Sequence, residues 1–147
     1  MFVERILPVA LQRLITIRDD ALLTDTAKLL SSTHISLVVV CNTDGVMVGV
    51  ITKADIVRQI AHCHGLSCTM SAAAAMTRNL TYCHPSDALH DVLSIMKERG
   101  FVHIPIVEQD SKPVGVVNAR DALQALLVEA GDEGLLLRDY VMGIGYH

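Results

Sequence analysis

The sequence predicts an α+β protein made of two β-α-β-β-α units packed face to face, each a three-stranded sheet with its helices on one face. Three observations lead there. First, Gly49-Val50-Ile51-Thr52-Lys53-Ala54-Asp55-Ile56-Val57 and Gly115-Val116-Val117-Asn118-Ala119-Arg120-Asp121-Ala122-Leu123 share one pattern 66 residues apart. In both, an apolar strand ends in a polar residue, and an aspartate three positions later opens a helix. A repeat sets the architecture before any single residue does. Second, the same shift carries the rest of the pattern without a gap, with identities at Leu14/Leu80, Leu23/Leu89, Asp25/Asp91, Asp44/Asp110, Val48/Val114, Gly49/Gly115, Val50/Val116 and Asp55/Asp121. Third, the 147 residues are 51% hydrophobic and 19% charged, with a mean hydropathy of +0.41. That composition supports a folded core and argues against disorder.

Taken in order, residues 14–18 read as a short β-branched strand. Asp19 and Asp20 offer N-caps for a helix with an apolar stripe of Leu22, Leu23, Ala27, Leu29 and Leu30. The run from Ile35 to Cys41 is too short and too β-branched for a helix, and reads as a buried strand. Asn42-Thr43-Asp44-Gly45 turns the chain, Val46 to Ile51 return as a hairpin, and Thr52 starts a helix running to about His62. His64 to Ala75 is a connector of small residues with room for a turn of helix but no folded element of its own. In the second unit Leu80 to Cys83 is the strand, and His84-Pro85-Ser86-Asp87 is the turn and cap. Ala88, Leu89, Val92, Leu93 and Met96 have helical spacing, and Gly100 stands at the C′ position. Val102 to Val107 form a strand, Glu108 to Lys112 turn, Pro113 to Val117 return, and a helix starts at Asn118. The boundaries are residues 5–66, a linker at 67–75, residues 76–130, and a tail at 131–147. One such sheet, with helices on one face only, cannot bury its other face alone; two packed together can.

Charge and composition exclude several classes. The net charge is −4 with scattered Lys and Arg, so no basic stripe exists to neutralise nucleic-acid phosphates. No Trp, three Tyr and two Phe leave no stacking platform for bases. No run reaches the roughly 18 apolar residues of a membrane span, and the N-terminus lacks the apolar core of a signal peptide. Cys41, Cys63, Cys68 and Cys83 show no disulfide spacing. A cytoplasmic protein is expected.

The chemistry lies in Thr52-x-x-Asp55 and Asn118-x-x-Asp121. Each fits a helix capping box, and a cap is the simplest reading. Each also sits where a strand ends and a helix begins, a place that favours anions. A carboxylate three residues on is suited to the two hydroxyls of a ribose. The duplication in register favours the ligand reading, and a cap can also be a contact. His62-Cys63-His64-x-x-x-Cys68 brings together metal-ligand types but matches no zinc framework. No nucleophile elbow, Walker loop, dinucleotide fingerprint or zincin helix is present, so no catalytic residue is assigned. Leu135-Leu136-Leu137 and Tyr140-Val141-Met142 in the tail read as packing or dimer contacts.

On these residues the chain resembles a tandem cystathionine-β-synthase-type (CBS) domain pair, or Bateman module, of the stand-alone kind. The two Gly-apolar-apolar-x-x-x-Asp segments, Met76-Thr77-x-x-Leu80, Pro85-Ser86-Asp87-Ala88-Leu89 and Ile104-Pro105-Ile106-Val107 carry the resemblance over roughly residues 5–130. It implies two repeats related by pseudo-two-fold symmetry and an adenosine-containing ligand between them: AMP, ADP, ATP, NAD(H) or S-adenosylmethionine. The aspartate would hold the ribose, the Ser/Thr position the ribose or phosphate, and the opening strand of the other repeat the base. One site would then use Thr52 and Asp55 with Met76, Thr81, Cys83, Phe101, Val102 and His103, the histidine standing where a basic phosphate contact is common. A second, weaker site would use Asn118 and Asp121 with Ala10, Ile15, Ile17, Ile35, Ser36 and Leu37. It departs from the pattern in having Asn118, and Leu37 in place of a basic residue. A flat homodimer, an effector protein of unknown identity and no required cofactor or metal complete what the resemblance implies. Two other readings stay open: a ligand-free structural or dimerisation module, and a metal or redox sensor through His62–Cys68.

Overall fold

The β-branched runs set two sheets in the computed structural model, which describes residues 1–32, 35–62, 70–78 and 80–131. In the first repeat β1 (Thr16–Arg18) pairs parallel with β2 (Leu37–Cys41), and β2 pairs antiparallel with β3 (Met47–Thr52). In the second, β4 (His103–Val107) pairs antiparallel with β5 (Pro113–Asn118). The helices are α1 (Leu7–Gln12), preceded by a 3₁₀ turn at Val3–Ile6, then α2 (Leu23–Ser32), α3 (Lys53–Ala61), α4 (Ala72–Ala75), α5 (Leu89–Arg99) and α6 (Ala119–Ala130). The two hairpins shift register at equivalent places, between Val40 and Cys41 and between Ile106 and Val107. The duplication therefore extends to a β-bulge, a feature that bends a strand and re-aims its side chains.

Alternation along the strands divides the core into layers. Val38, Val40 and Ile51 point to one side, where they pack with Leu23 and Leu30 of α2 and Ala72 and Ala75 of α4. Leu37, Val39, Cys41, Met47 and Val50 point to the other and meet Val107 and Val116 of the second sheet. Ile104, Ile106 and Val117 then pack under Leu89, Val92 and Met96 of α5 and Ala122 of α6. All five residues of β2 are buried because the strand lies between its own helices and the other sheet. Gly100 ends α5 with a φ of 73°, a left-handed conformation that glycine adopts without a Cβ clash.

Each repeat is completed by the N-terminal arm of the other. Residues of the first arm bond to the second repeat, Val3 N donating to Asp87 O at 2.9 Å and Glu4 N to Pro85 O at 2.9 Å. Residues of the second arm bond to the first repeat, where Leu23 N donates to Met70 O at 2.8 Å and Ala72 N to Ala21 O at 2.8 Å. Thr77 and Val50 exchange both backbone bonds at 2.8 and 3.1 Å. Close approach needs glycine at two matched points. A Cβ on Gly49 would meet Met76 Sδ at 2.5 Å, and one on Gly115 would meet Ala10 Cβ at 2.8 Å. Residues 70–75, expected as part of a linker, thus include a helical turn whose small side chains allow close packing.

Three expected elements differ. The strand at Leu80–Cys83 contracts to a single parallel bridge from Cys83 to Ile106. In the first repeat Val39 N donates to Ile15 O at 2.9 Å; Pro105 stands at the matching place and has no N–H to give. Helix α2 starts at Leu23 rather than at Asp19 or Asp20, and Asp20 instead pairs with Arg18 at 2.9 Å. Asp87 does not cap α5, whose N-cap is Ala88; its Oδ2 accepts from His84 N at 2.8 Å and closes the preceding turn.

Candidate functional site

Thr52 ends β3 and caps α3 in one step, because an extended φ of −112° leaves its hydroxyl free to accept from Asp55 N. The reciprocal bond closes a capping box, with Thr52 N donating to Asp55 Oδ2 at 2.9 Å. The Thr52 hydroxyl lies 3.1 Å from the same oxygen. Asp55 Oδ1 accepts from Thr77 Oγ1 at 3.0 Å and from Arg58 Nη1 at 3.0 Å. Burial of a carboxylate is tolerated when donors fill its oxygens in this way. Thr77 belongs to the second arm, so Asp55 ties the helix of one repeat to the leading segment of the next.

A cavity of about 510 Å³ opens beside this carboxylate. Its first-repeat wall is Ser36, Leu37, Val50, Thr52, Lys53, Ala54, Asp55 and Arg58. Its other wall is Thr77, Leu80, Thr81, Gly100, Phe101, Val102, His103 and Pro105. Six residues expected in the first site, Thr52, Asp55, Thr81, Phe101, Val102 and His103, line it together. Met76 and Cys83 stand apart. Met76 packs over Gly49 against the first-repeat core. Cys83 is buried under the second sheet, its Sγ 3.7 Å from Pro105 O, and burial pushes its thiol up to about 12. Ser36 and Leu37, expected in the second site, line this cavity, because the starts of β2 and β4 meet there.

His103, where the resemblance implies a basic phosphate contact, is held between two polar neighbours. Its Nε2 lies 3.0 Å from Asn118 Nδ2 and its Nδ1 lies 3.1 Å from Ser36 Oγ. Asn118 Oδ1 already accepts from Arg120 N at 2.9 Å and Asp121 N at 3.3 Å, which turns its NH₂ toward the ring. Nε2 must then accept, and the ring is neutral with its proton on Nδ1. Burial lowers the affinity of His103 for a second proton, Arg13 lowers it further, and Asp121 opposes both.

The second motif is built differently. Asn118 caps α6, but no reciprocal bond from Asp121 closes a box. Asp121 turns to Arg13 at the C-cap of α1, with Nη2 to Oδ1 at 3.0 Å and Nε to Oδ2 alongside. This pairing holds the Arg13 guanidinium more firmly protonated. Ala10 is buried against Gly115, Ile15 and Ile17 pack on the first-repeat core, and Ile35 is half-buried ahead of β2. Asp121 also borders an open groove of about 790 Å³ between the first arm and α6.

Thr77, Arg58 and Leu80 went unassigned in the sequence. Thr77 and Leu80 stand in the Met76-Thr77-x-x-Leu80 segment that marked the second repeat, which was the available signal. Arg58 lies one turn after Asp55, the spacing of a helical ion pair. Among the described residues, no group of three or more His, Cys, Asp or Glu is placed to hold a metal ion. Cys63, His64 and Cys68 of the His62–Cys68 cluster lie outside the described residues, as do residues 132–147. No described helix is long and apolar enough to cross a membrane.

Comparison with known proteins places this architecture. The family model for the CBS domain matches twice, over residues 6–62 and 72–128. The chain belongs to the CBS-domain family, as a tandem pair. The CBS-domain protein ATU1752 from Agrobacterium tumefaciens is similar at 27% identity and a TM-score of 0.70, over 85% of this chain and 98% of that one. The CBS domain pair of protein MJ0100, crystallised with 5′-methylthioadenosine and S-adenosyl-L-methionine, shares the fold at 23% identity and a TM-score of 0.70, over 86% and 95% of the two chains. An uncharacterised 17.7 kDa protein from Acidianus ambivalens is 26% identical over 81% of this chain and 71% of its own length. The chain spans only 17% to 38% of the length of the further curated relatives it matches.

Proposed function

We propose that this chain is a regulatory module that binds an adenosine-containing nucleotide in the Thr52/Asp55 cavity and signals by a change in how its repeats are held. One observation carries the reading: the cavity joins the Asp55 carboxylate of one repeat to an apolar slot formed by Val50, Leu80, Val102 and Pro105 from both. Its volume of about 510 Å³ falls within the roughly 300–1,000 Å³ of small-molecule sites. The two hydroxyls of a ribose would replace Thr77 and Arg58 as donors to Asp55. The base would lie in the slot. Releasing the Thr77 hydroxyl removes one of the ties between the second arm and the first repeat and leaves the backbone ones, so ligand affinity becomes linked to the arrangement of the repeats, and only the difference in affinity between arrangements can signal. AMP, ATP, NAD(H) and S-adenosylmethionine share the adenosine that this site would read. A homodimer through helix faces fits the exposed Val57 and Ile60 of α3.

A second reading is favoured by one fact: Asp55 already has donors on both oxygens without a ligand. That is what a purely structural cap and tie would show. Calorimetric titration with AMP, ATP, NADH and S-adenosylmethionine separates the two. Saturable heat that is lost in Asp55→Ala supports the nucleotide module; no heat with any of the four from folded, ligand-free protein leaves the structural reading standing.

A further inference from the structure

We propose that Arg13 decides how many ligands the chain takes, by acting as a built-in occupant of the second carboxylate position. The proposal rests on the nucleotide reading above. Asp121 stands 66 residues after Asp55, and both carboxylates close against the N-terminal arm of the other repeat. The donors differ. Asp55 takes a hydroxyl from Thr77, whereas the matching residue of the first arm is Leu11, which has none. Arg58 is matched by Gln124. In their place a guanidinium reaches in from 108 residues away and covers both oxygens of Asp121.

A ribose would offer two adjacent hydroxyl donors to such a carboxylate. The guanidinium already offers two N–H donors in a planar fork, with a full charge behind them. Displacing it breaks two charge-assisted bonds at a partly buried place, where the side chains of Asp121 and Arg13 are 14% and 39% exposed. At Asp55 the arginine to be moved makes one bond and is 62% exposed. Arg58 can rotate into water and leave its backbone where it was. Asn118 adds to the difference, since its carbonyl is held by the α6 cap and its NH₂ by His103. The two positions therefore share a backbone and differ in what a ligand must push aside.

Stoichiometry by calorimetry, with AMP and S-adenosylmethionine as separate probes, tests this. Wild type is expected to bind one equivalent per chain. Arg13→Gln is expected to gain a second equivalent, and Arg13→Gln/Asp121→Asn to return to one. Persistence of a single equivalent in Arg13→Gln overturns the proposal, as does a wild type that binds two with one lost in Asp121→Asn. Should Arg13→Gln bind nothing, Arg13→Lys decides, since lysine keeps the charge without the fork: a second equivalent supports the proposal and a single one overturns it. A wild type silent to both probes removes the nucleotide reading, and this proposal falls with it.

Discussion

Asp55 and Asp121 occupy the same position in two copies of one fold, yet they are held by different chemistry. Asp55 closes a capping box and takes a neutral hydroxyl and an exposed arginine. Asp121 closes no box and takes a fork of charge from a distant helix. The hairpins, their bulges and the glycine contacts around them match residue for residue. The difference teaches that a duplicated backbone can keep its shape while its polar partners drift. Ligand capacity in such a protein follows the donors rather than the sheet.

Removing the two carboxylates should break this comparison most visibly. Asp55→Ala strands the Thr77 hydroxyl and the Thr52 amide and undoes the box, which should cost about 2–3 kcal/mol. Asp121→Ala gives up two charge-assisted bonds but leaves Arg13 able to reach water, and should cost less, about 1–2 kcal/mol. Chemical denaturation of both variants checks the order, and equal losses would erase the distinction. Next come the glycines. Gly115→Ala drives a Cβ against the backbone of Ala10, with 3.0 Å to its carbonyl carbon. About 1–3 kcal/mol of overpacking is expected, since backbone cannot step aside. Gly49→Ala meets the flexible Met76 side chain and should cost less. Melting temperatures of the pair decide it.

A smaller effect is expected from His103. Its folded affinity for a proton is lowered from the ordinary 6.5. As pH falls below that value the unfolded chain takes a proton that the folded chain refuses. The contribution to stability is therefore full above pH 6.5 and is lost as pH falls through the folded value. Arg13 and Asp121 face the same ring and act in opposite senses. Denaturation midpoints at pH 7.5 and pH 5.5 should converge more in His103→Gln than in wild type; the same spread in both would refute the neutral bridge. Least of all, Pro105→Val should restore the amide donor that Val39 supplies in the first repeat. A newly protected amide at 105 in hydrogen exchange is the readout, with a net stability change near zero because the gained bond is offset by unfolded-chain entropy.

Local signals made much of the fold readable. The hairpins followed from β-branched runs around turn residues, and both strand-to-helix junctions followed from Thr52 and Asn118. What escaped depended on partners remote in sequence. No local pattern shows that Pro105 will face the Leu80–Cys83 segment and halt its pairing. Asp19 and Asp20 look like caps until Met70 to Ala73 of the second arm are seen bonded to the segment from Asp19 to Leu23. At the site, Thr52, Asp55 and the residues from Phe101 to His103 stood out through their motifs. Thr77 did not, because its hydroxyl matters only once the second arm lies on β3. The neutrality of His103 is equally hidden, since it follows from Ser36 and Asn118, brought to the ring by folding.

The exchanged arms make the two repeats a clasp. Met1 to Gln12 grips the second repeat, and Met70 to Thr77 grips the first, so neither half is whole by itself. A chain severed between residues 62 and 70 should stay together in solution and melt in one transition, each piece finishing the other. A lone repeat would have to borrow an arm from a neighbour, the geometry of a swapped dimer. Joining two copies end to end turns that borrowing into an internal affair, and leaves each copy free to change its chemistry while the grip of the other keeps its shape.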